Sequence, residues 1–394
     1  MGDADDPGNQ VKLFRRIVDV EAAAWDACAG RDHPFVRHRF LAALEESGCA
    51  SARTGWQPCH IGVVDAAGNL VGCAPMYLKG HSQGEYIFDH SWAQAYEQAG
   101  GSYYPKALIA VPFTPATGPR LMVKPGEPED EIRSLLVAGA VETARQNELS
   151  SLHLNFVEED VWQALGGTGF LQRTGEQFHW YNRNYTTFDD FLNALASRKK
   201  KTIRKERRAA VENGITIEVL RGPEITKHHW DVFFAFYMDT GSRKWGRPYL
   251  NRRFYAIIGE TMGEDIVLVM ARRGLEYVAG AINFLGRDTL YGRYWGCLEE
   301  HRFLHFELCY YQAIEFAIAH RLARVEAGAQ GPHKLARGYL PVHTYSAHWI
   351  RDAGFRRAVD QYLKRERAAV DEEIDELGAY APFRRGSAIP EEQE

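Results

Sequence analysis

Two segments of this 394-residue chain look like copies of one another. Residues 58–78 read PCHIGVVDAAGNLVGCAPMYL, and residues 265–285 read DIVLVMARRGLEYVAGAINFL. In each segment, two alternating apolar runs flank a short polar turn that contains glycine, which is the pattern of a β-hairpin. A fold for this chain therefore has to accommodate the same hairpin twice.

The elements predicted after each hairpin also match. An apolar strand comes first, then a long helix with apolar residues at three- and four-residue spacing, then a second strand. These elements are expected at 107–113, 131–146 and 151–157, and again at 289–296, 305–323 and 323–329. This order of strands and helices predicts an α/β unit with a mixed sheet, present twice.

A short helix and a Gly-Phe pair are expected to close each copy. VWQALGGTGF ends at Phe170 and SAHWIRDAGF ends at Phe355, so the two pairs lie 185 positions apart. An offset of about half the chain indicates a tandem duplication. The predicted parts are a first domain with an insertion, a second domain and a charged tail: 11–185 (insertion 79–106), 186–365 and 366–394. The insertion has the length of a binding loop or lid, or of a packed surface excursion.

The composition is that of a soluble globular protein, with 45% hydrophobic and 25% charged residues. The six cysteines show neither a CxxC pair nor zinc-site spacing, so we expect reduced thiols and no metal. The chain begins without the basic and apolar regions of a signal peptide, and no apolar run is long enough to span a bilayer. These features predict a cytoplasmic protein.

Positive charge is concentrated in one short segment. Residues 1–185 carry a net charge of −8, whereas residues 186–394 carry +3. Thr187 and Asp190 have the spacing of a capping box and predict the start of a helix. Residues 198–208 then hold eight basic side chains against one acid. Like charges at this density repel one another by a few tenths of a kcal/mol per pair, roughly, and an anionic partner relieves that cost.

A nucleic acid or another polyphosphate is the predicted partner of this segment, because basic side chains gain affinity by releasing the counterions of a phosphate backbone. A solvated helix and contact with an acidic patch of the first half are the alternatives. The predicted polyanion-binding residues are Arg198, Lys199, Lys200, Lys201, Arg204, Lys205, Arg207 and Arg208.

Side chains suited to chemistry are more frequent in the second half. They follow the RYWG strand and fill the stretch EAGAQGPHKLARGYLP at 326–341. Groups at the C-terminal ends of strands converge on one crevice in α/β sheets. The predicted catalytic residues are His305, Glu307, Tyr310, His333, Lys334 and Arg337. No HExxH, GxSxG, GxxxxGK[ST] or GxGxxG pattern occurs, which argues against zinc, serine-triad, P-loop and Rossmann chemistry.

Further residues are predicted to bind substrate, although each taken alone is explained as well by packing. Around the second-half crevice these are Arg293, Trp295, Gln330, His343 and Ser346. In and next to the insertion they are His90, Trp92, Tyr96, Tyr104 and Lys106. Two aromatic residues suited to stacking on a base or sugar complete the set: Trp245 and Tyr249.

Several motifs carry a resemblance to a known family: SWAQAYEQAGGSYYPK, VPFTPATGPR, RKKKTIRKER, KWGRPYL, YGRYWG, HFELCYYQ and GAQGPHKLARGYLP. Together with the duplicated unit, they resemble the FemAB-like predicted N-acyltransferases of peptidoglycan biosynthesis or recognition, relatives of the Fem-type peptidyltransferases. The resemblance implies tandem acyl-CoA N-acyltransferase (GNAT)-like units with mixed central sheets. It also implies an enzyme that moves an acyl or aminoacyl group onto an amine.

The resemblance leaves two donors open. In Fem-type relatives the donor is an aminoacyl-tRNA and the acceptor is a cell-wall precursor, and the basic helix fits such a donor. The long helical hairpin of those relatives has no counterpart here, and neither half has the glycine-rich pyrophosphate cradle of enzymes that use acyl-CoA. Aminoacyl-tRNA and acyl-CoA both remain candidates, with no tightly bound cofactor. A non-catalytic binding protein for a cell-wall or polyphosphate ligand is the alternative class.

Acyl transfer to an amine requires a base, a stabilised oxyanion and an acid for the leaving group. We expect Glu307 or His305 to act as the base or its orienting group, and Tyr310 to protonate the leaving group. His333, Lys334 and Arg337 are expected to bind an anionic part of the substrate or to stabilise the oxyanion; the alternative is that they tie the loop to the helix by hydrogen bonds.

Overall fold

A computed structural model describes residues 8–245, 248–328 and 331–384, without the side chains of Lys244, Trp245 and Pro332. These residues form two compact units, each built from several segments of chain. The first unit comprises the chain up to Gly175, with Tyr249–Met262 and Thr344–Val370; the second comprises Glu176–Pro248, Gly263–His343 and the chain from Asp371 on.

The strands are named in chain order. They are β1 Gln10–Phe14, β2 Trp56–Pro58, β3 His60–Val64, β4 Leu70–Ala74, β5 Met76–Lys79, β6 Lys106–Ile109, β7 Met122–Val123, β8 Ser151–Val157, β9 Leu171–Tyr181, β10 Ile215–Arg221, β11 Ile266–Arg273, β12 Glu276–Leu285, β13 Thr289–Cys297, β14 Arg324–Glu326 and β15 Leu340–Ile350.

The helices are named in the same way. They are α1 Ala22–Ala29, α2 His38–Glu46, α3 His90–Gln98, α4 Glu129–Gln146, α5 Glu159–Gly167, α6 Phe188–Ala194, α7 Ser197–Ala210, α8 Lys227–Trp245, α9 Arg252–Thr261, α10 Leu304–Phe306, α11 Gln312–Ala319 and α12 Ala353–Ala379. A π-helical turn, Glu307–Tyr311, joins α10 to α11, and a 3₁₀ helix, Pro332–Arg337, precedes β15.

The first unit contains two groups of paired strands. The predicted hairpin of β3 and β4 is confirmed, and β1 and β7 flank it in a small antiparallel sheet. In the other group, β2, β5 and β6 are antiparallel, and β6 runs parallel to β8. Helix α4 buries Ile132, Leu136 and Ala140 among apolar strand residues, including Ile61 and Leu152.

The second unit contains a mixed sheet with a similar order of elements. The predicted hairpin of β11 and β12 is confirmed, with β10 and β13 paired antiparallel on its two sides. Strand β14 then runs parallel to β13 and antiparallel to β9. The apolar face of α11 packs into a core that includes Trp180, Phe191, Leu290 and Val325. The predicted α/β fold with mixed sheets is thereby confirmed.

Each half of the sequence supplies its last strand to the other compact unit. The end of β9, Glu176–Tyr181, belongs to the second unit and pairs with β14. The end of β15, Thr344–Ile350, belongs to the first unit and pairs with β8. The compact units therefore differ from the predicted domains 11–185 and 186–365, which remain a prediction about the bounds of the repeat.

The closing helix predicted within SAHWIRDAGF is wrong. The residues up to Ile350 form the end of β15, and the helix begins only at Ala353. The segment LPVHTYSAHWI is rich in β-branched and aromatic residues, which favour a strand. Gly169 consequently precedes a strand, whereas Gly354 lies in the first turn of α12, so the two Gly-Phe pairs do not occupy equivalent positions.

Gly296 provides a test of the packing between β13 and α8. A Cβ at this position would lie 2.2 Å from the carbonyl oxygen of Phe236 in α8, so an added methyl group has to push two backbones apart. We expect Gly296→Ala to lower the free energy of unfolding by about 1–3 kcal/mol, measured from urea unfolding curves. Gly378→Ala is the control, because a Cβ there meets nothing within 4 Å; equal stability of the two variants would contradict the expectation.

A candidate active site in the second unit

The candidate site lies beyond the point where strand β14 ends beside β13. They pair only from Thr289 with Arg324 to Tyr291 with Glu326, after which β13 continues to Cys297. The register between β12 and β13 shifts at this point: Asn283 is opposite Gly292 and Ile282 is opposite Tyr294, so Arg293 is the extra residue of a bulge. Bulges occur frequently next to active sites, and α/β sheets bind ligands outside the carboxyl ends of their parallel strands.

A π-helical turn lies directly after β13 in the chain. Glu307–Tyr311 adopt this wider helical form between α10 and α11, and such turns are frequent at functional sites. The extra residue rotates the side chains that follow it relative to those of α10. Glu307, Tyr310 and Tyr311 are all buried within the second unit. Two of the predicted catalytic residues, Glu307 and Tyr310, thus come from one turn of backbone.

The 3₁₀ helix Pro332–Arg337 supplies the remaining candidate groups. Gly331 and Gly338 bracket it with φ angles of 123° and 90°, which other residues rarely adopt, so the Gly-Pro signal of the sequence fixes this short turn. Lys334 is buried, and its Nζ donates a 2.7 Å hydrogen bond to the carbonyl of Gly328. Burial lowers the pKa of Lys334 to about 8.

Tyr310 and His333 form the closest contact between predicted catalytic side chains. The Tyr310 hydroxyl and Nε2 of His333 lie 2.9 Å apart. Burial, followed by the charges of Arg337 and Lys334, lowers the pKa of His333, and burial raises the pKa of Tyr310. At neutral pH the pair therefore consists of a neutral imidazole and a protonated phenol. The His305 ring lies beside both, with centroid distances of 5.5 Å to Tyr310 and 6.3 Å to His333.

Glu307 is engaged in a buried ion pair with the basic helix α7. Arg207 donates to both of its carboxylate oxygens at 2.8–3.1 Å, and Gln312 donates a further bond of 2.8 Å. The same guanidinium reaches Glu315 at 2.6 Å. A carboxylate that already accepts this many hydrogen bonds is poorly suited to removing a proton. The geometry favours an orienting role for Glu307 over that of a base.

Arg337 is held by a second buried contact with α7. Its Nη2 donates to both oxygens of Glu206 at 2.9 and 3.0 Å, and Glu206 also accepts a short hydrogen bond from Tyr311. The Arg337 guanidinium lies 3.4 Å from the centroid of the Phe306 ring, and it donates a hydrogen bond of 2.7 Å to the carbonyl oxygen of His333. This single arginine therefore links α7, the π-helical turn and the 3₁₀ helix.

The outer face of α7 is basic and exposed, as the sequence predicts. Arg198, Lys201, Lys205 and Arg208 recur at three- and four-residue spacing on that face. Within the described part of the chain, none of these four has a carboxylate within ion-pair distance, whereas Arg204 pairs with Asp189 at 2.8 Å.

Two depressions lie along this helix. One, of about 370 Å³, is lined by Ser197, Arg198, Lys201, Thr202 and Lys205. The other, of about 330 Å³, is lined by Arg198, Lys199, Thr202, Ile203, Glu206, Ala336 and Arg337. The second cavity is lined by residues of both the basic helix and the 3₁₀ helix, including Arg337.

The other predicted residues of the second unit are scattered. Trp295 packs edge-on against His305 at a centroid distance of 5.2 Å. Arg293 lies at the bulge of β13. His343 is further along β15 and pairs with Asp371 of α12 at 2.9 Å. Gln330 and the side chain of Trp245 lie outside the described residues.

The first unit contains a buried polar cluster beneath the insertion. Lys106 donates to Ser82 and Glu85 at 2.8 Å, and it forms a short ion pair with Asp89. All three partners belong to the insertion, and all are buried. Lys106, predicted to bind substrate, thus anchors the insertion from beneath instead of lying at a surface. Burial raises the pKa of Glu85 to about 7, while the adjacent Lys106 holds the pKa of Asp89 below its usual range.

A pair of buried histidines extends this cluster across β8 and β15. His153 and His348 are cross-strand partners, and their Nδ1 atoms lie 2.7 Å apart. One ring must carry its proton on Nδ1 and the other must not, so the two adopt different tautomers. Ser151 lies 2.8 Å from Nε2 of His153, and Ser346 lies 3.1 Å from Nε2 of His348. Burial lowers the pKa of both rings, to about 3 for His153.

The remaining predicted residues of the first unit do not form one site. Trp92 and Tyr104 border the cluster. The ring centroids of Trp92 and His348 lie 5.0 Å apart, and the hydroxyl oxygens of Tyr104 and Ser82 lie 2.8 Å apart. Tyr96 packs on Phe355, exposed His90 stacks on Phe88, and Tyr249 stacks on Phe113. These contacts are those of packed aromatic residues, and the substrate roles remain predictions.

Sequence reasoning missed several members of these networks. In the sequence, Glu206 is only the lone acid of a basic segment, and Arg207 belongs to the predicted polyanion-binding residues. No sequence pattern marks Asp89, Glu85 or His153. One sequence signal points to Glu206: it is a single acid at helical spacing from the apolar residues Ile203 and Ala210, which mark the buried face of the helix.

No helix of the described residues is both long and apolar enough to cross a membrane. Within the same residues, no three His, Cys, Asp or Glu side chains are grouped so as to hold a metal ion.

A family model described as peptidoglycan biosynthesis/recognition matches residues 16–385. The chain belongs to the FemAB-like family. It is accordingly an acyltransferase, as the sequence predicts. No curated protein sequence matches it.

Solved structures of the same fold are distant in sequence. A crystal structure of FemX aligns over 89% of this chain and 100% of its own, with 14% identity and a TM-score of 0.55. L-PGS from Bacillus licheniformis aligns over 90% and 98%, with 10% identity and a TM-score of 0.50. The C-terminal domain of a putative lysylphosphatidylglycerol synthetase from Agrobacterium fabrum aligns over 85% and 93%, with 11% identity and a TM-score of 0.50. At these identities the similarity confirms the fold of this FemAB-like chain alone.

Lys106→Met tests whether the buried cluster holds the insertion. The substitution leaves Glu85 and Asp89 buried without their counter-charge, which typically costs about 3–5 kcal/mol. We expect a corresponding loss in the free energy of unfolding and faster proteolysis within 79–106. Arg204→Met, which removes an exposed pair with Asp189, is expected to cost under about 1 kcal/mol. Similar stabilities of the two variants would show that Lys106 is not an anchor.

The histidine pair predicts sensitivity to acid. Because the folded pKa of His153 is about 3 and that of His348 is also lowered, the unfolded chain binds more protons than the folded chain below pH 6.5. Stability is therefore lost as pH falls from about 6.5, by about 2 kcal/mol for His153 alone between pH 6.5 and 5. Glu85, whose pKa is raised, acts in the opposite direction between about pH 4.5 and 7.

The experiment compares urea unfolding of the wild type and of His153→Gln/His348→Gln at pH 7.5 and 5. The double variant keeps Glu85, Asp89, Lys106 and Arg173, the charged groups that surround the pair. We expect it to lose less stability over this range than the wild type. An equal loss in both proteins would rule out the pair as the source.

Proposed function

We propose that the chain transfers an acyl or aminoacyl group from a phosphate-bearing donor onto the amine of a peptidoglycan precursor. The observation that carries the proposal is the cavity of about 330 Å³ that joins the basic face of α7 to Arg337. A donor held by its phosphates along that face brings its reactive end towards Tyr310 and His333. The family description supports a peptidoglycan-related acceptor.

The donor binds, in this proposal, through its phosphates to the exposed residues of α7. Arg198 lines both depressions along the helix, so it is placed to contact successive phosphates. Arg337 also lines the second cavity and presents a buried, permanently charged guanidinium. Both aminoacyl-tRNA and acyl-CoA provide the required phosphates. The exposed basic face of α7 extends beyond a single pyrophosphate site, which favours the polymeric donor.

The chemical step forms a C–N bond and breaks the C–O or C–S bond of the donor. His333 takes a proton from the neutral amine as it attacks, since its lowered pKa keeps the imidazole neutral at pH 7. Tyr310, which remains protonated, donates its proton to the leaving oxygen or sulfur and is restored through His333 at 2.9 Å. Lys334 stabilises the oxyanion of the tetrahedral intermediate.

Product formation is the direct test of this function. The protein is incubated with a peptidoglycan-type peptide bearing a free amine, together with charged tRNA or with acyl-CoA, and the acylated amine is sought by mass spectrometry. Product with one donor supports transfer and identifies that donor. Salt-sensitive binding of RNA without product from either donor would contradict the proposal and favour a binding protein.

Tyr310→Phe isolates the role of the phenolic hydroxyl. The substitution keeps the ring and its packing but removes the proton donor, so we expect kcat to fall by about 10²–10⁴-fold, with little change in the KM of the donor. Tyr380→Phe, an exposed tyrosine of the same unit, is the matched control and should leave turnover unchanged. Normal turnover by Tyr310→Phe would remove this residue from the mechanism.

Lys334→Ala tests the oxyanion role separately. Loss of one oxyanion donor is expected to lower kcat by about 10²–10³-fold. Because Lys334 also bonds to Gly328 in the resting structure, circular dichroism and the unfolding midpoint of the variant have to be compared with those of the wild type. A folded variant with unchanged kcat would exclude Lys334 as the oxyanion donor.

A further inference from the structure

Helix α7 has two faces with different chemistry. Its outer face presents basic side chains, among them Arg198, Lys201, Lys205 and Arg208, to solvent. Its inner face buries Ile203 and Ala210 and, between them, the adjacent pair Glu206 and Arg207 points towards the candidate active site. The eight basic residues of 198–208 therefore do not form one uniform surface, because some are exposed on the outer face and Arg207 lies on the inner face.

The two inner polar residues each bind a different part of the candidate site. Glu206 accepts hydrogen bonds from Arg337 of the 3₁₀ helix and from Tyr311 of the π-helical turn. Arg207 donates to Glu307, at the start of the π-helical turn, and to Glu315, two turns further on. Their opposite charges are matched by partners of opposite sign, an arginine for Glu206 and two glutamates for Arg207.

We propose that Glu206 and Arg207 are positioning residues that set the geometry of the candidate active site, and that Arg207 does not belong to the polyanion-binding surface. This inference rests on the function proposed above and deepens it. Arg207 holds the π-helical turn through Glu307, and Glu206 holds the 3₁₀ helix through Arg337. The Tyr310 hydroxyl comes from the first of these elements and its His333 partner from the second.

The burial of these contacts is what gives them this effect. Glu307 is 2% exposed and the Arg337 side chain 8%, so neither finds water as a substitute partner. Removing one member of such a pair leaves an uncompensated charge in the interior, and the element that carries it has to move to regain solvation. A shift of about 1 Å at Tyr310 or His333 is enough to cost about 10²-fold in rate.

The forked shape of the Arg207 guanidinium allows it to bind two carboxylates at once. Nε and Nη2 approach Glu307 together at 2.8–3.1 Å, and Nη2 also reaches Glu315 at 2.6 Å. A lysine ammonium is a single point and cannot reproduce this fork. The guanidinium carbon in addition lies 4.4 Å from the centroid of the Phe188 ring. Arg207→Lys therefore keeps the charge but loses the geometry, which separates positioning from general electrostatics.

Two variants of neighbouring residues distinguish the roles. Arg207→Lys is compared with Lys205→Ala, a change on the outer face of the same helix turn. The first readout needs no turnover: binding of a fluorescent oligouridylate is measured as a function of salt. Lys205→Ala should reduce the slope of log K against log salt by about 0.7, the value for one phosphate contact to a single strand. Arg207→Met/Glu307→Met, which removes the Arg207 charge without leaving Glu307 unpaired, should leave that slope unchanged.

The second readout is steady-state turnover with the donor that the wild type uses. Lys205→Ala should raise the KM of the donor. Arg207→Lys should lower kcat by about 10²-fold with the KM of the donor little changed. If Arg207→Lys fails to fold, Arg207→Met/Glu307→Met removes both charges at once and avoids a buried unpaired ion. The double variant should be folded and equally impaired in kcat.

A reduced salt slope for Arg207→Met/Glu307→Met would overturn the inference and return Arg207 to the polyanion surface. Full kcat for Arg207→Lys, or a folded double variant with wild-type kcat, would overturn it as well. Absence of turnover by the wild type with either donor contradicts the proposed function and, with it, the catalytic part of this inference. The salt slope of the double variant still decides in that case whether Arg207 contacts the polyanion.

Discussion

The second unit depends on the burial of two carboxylates against two arginines. Glu206 with Arg337 and Glu307 with Arg207 are matched across elements that are far apart in sequence. Hydrophobic contacts alone tolerate small sliding of a helix over a sheet, because they have no preferred direction. Buried ion pairs with several hydrogen bonds fix both distance and orientation, and here they fix the two short elements that carry the candidate catalytic groups.

The first unit applies the same principle to its insertion. Lys106, the last residue of the insertion and the first of β6, binds three partners within the insertion and so fixes the position of this loop. The paired histidines continue this polar network across β8 and β15, the latter delivered from the end of the other half of the chain. In both units, polar networks fix the positions of segments that strand pairing in the mixed sheet does not determine.

Local patterns of the sequence predict the hairpins, the long helices and the capping box at Thr187, because each depends on residues within one element. They do not predict which sheet receives the last strand of each half, since that depends on pairing with strands far away in the sequence. The same limit explains the site. Tyr310 and His333 could be proposed from their types, but the partners of Glu206 and Arg207 lie about a hundred positions away.

The basic residues of α7 do not all have the same role, because some of them are paired with carboxylates of this chain. A run of eight basic residues suggests one uniform surface for a polyanion, yet Arg207 is neutralised inside and Arg204 pairs with Asp189. Helical geometry divides these residues between two faces, because side chains three or four positions apart lie on the same side of a helix. In the proposed function, the outer face of α7 binds the phosphates of the donor and the inner face supports the reactive groups, so one helix carries both roles.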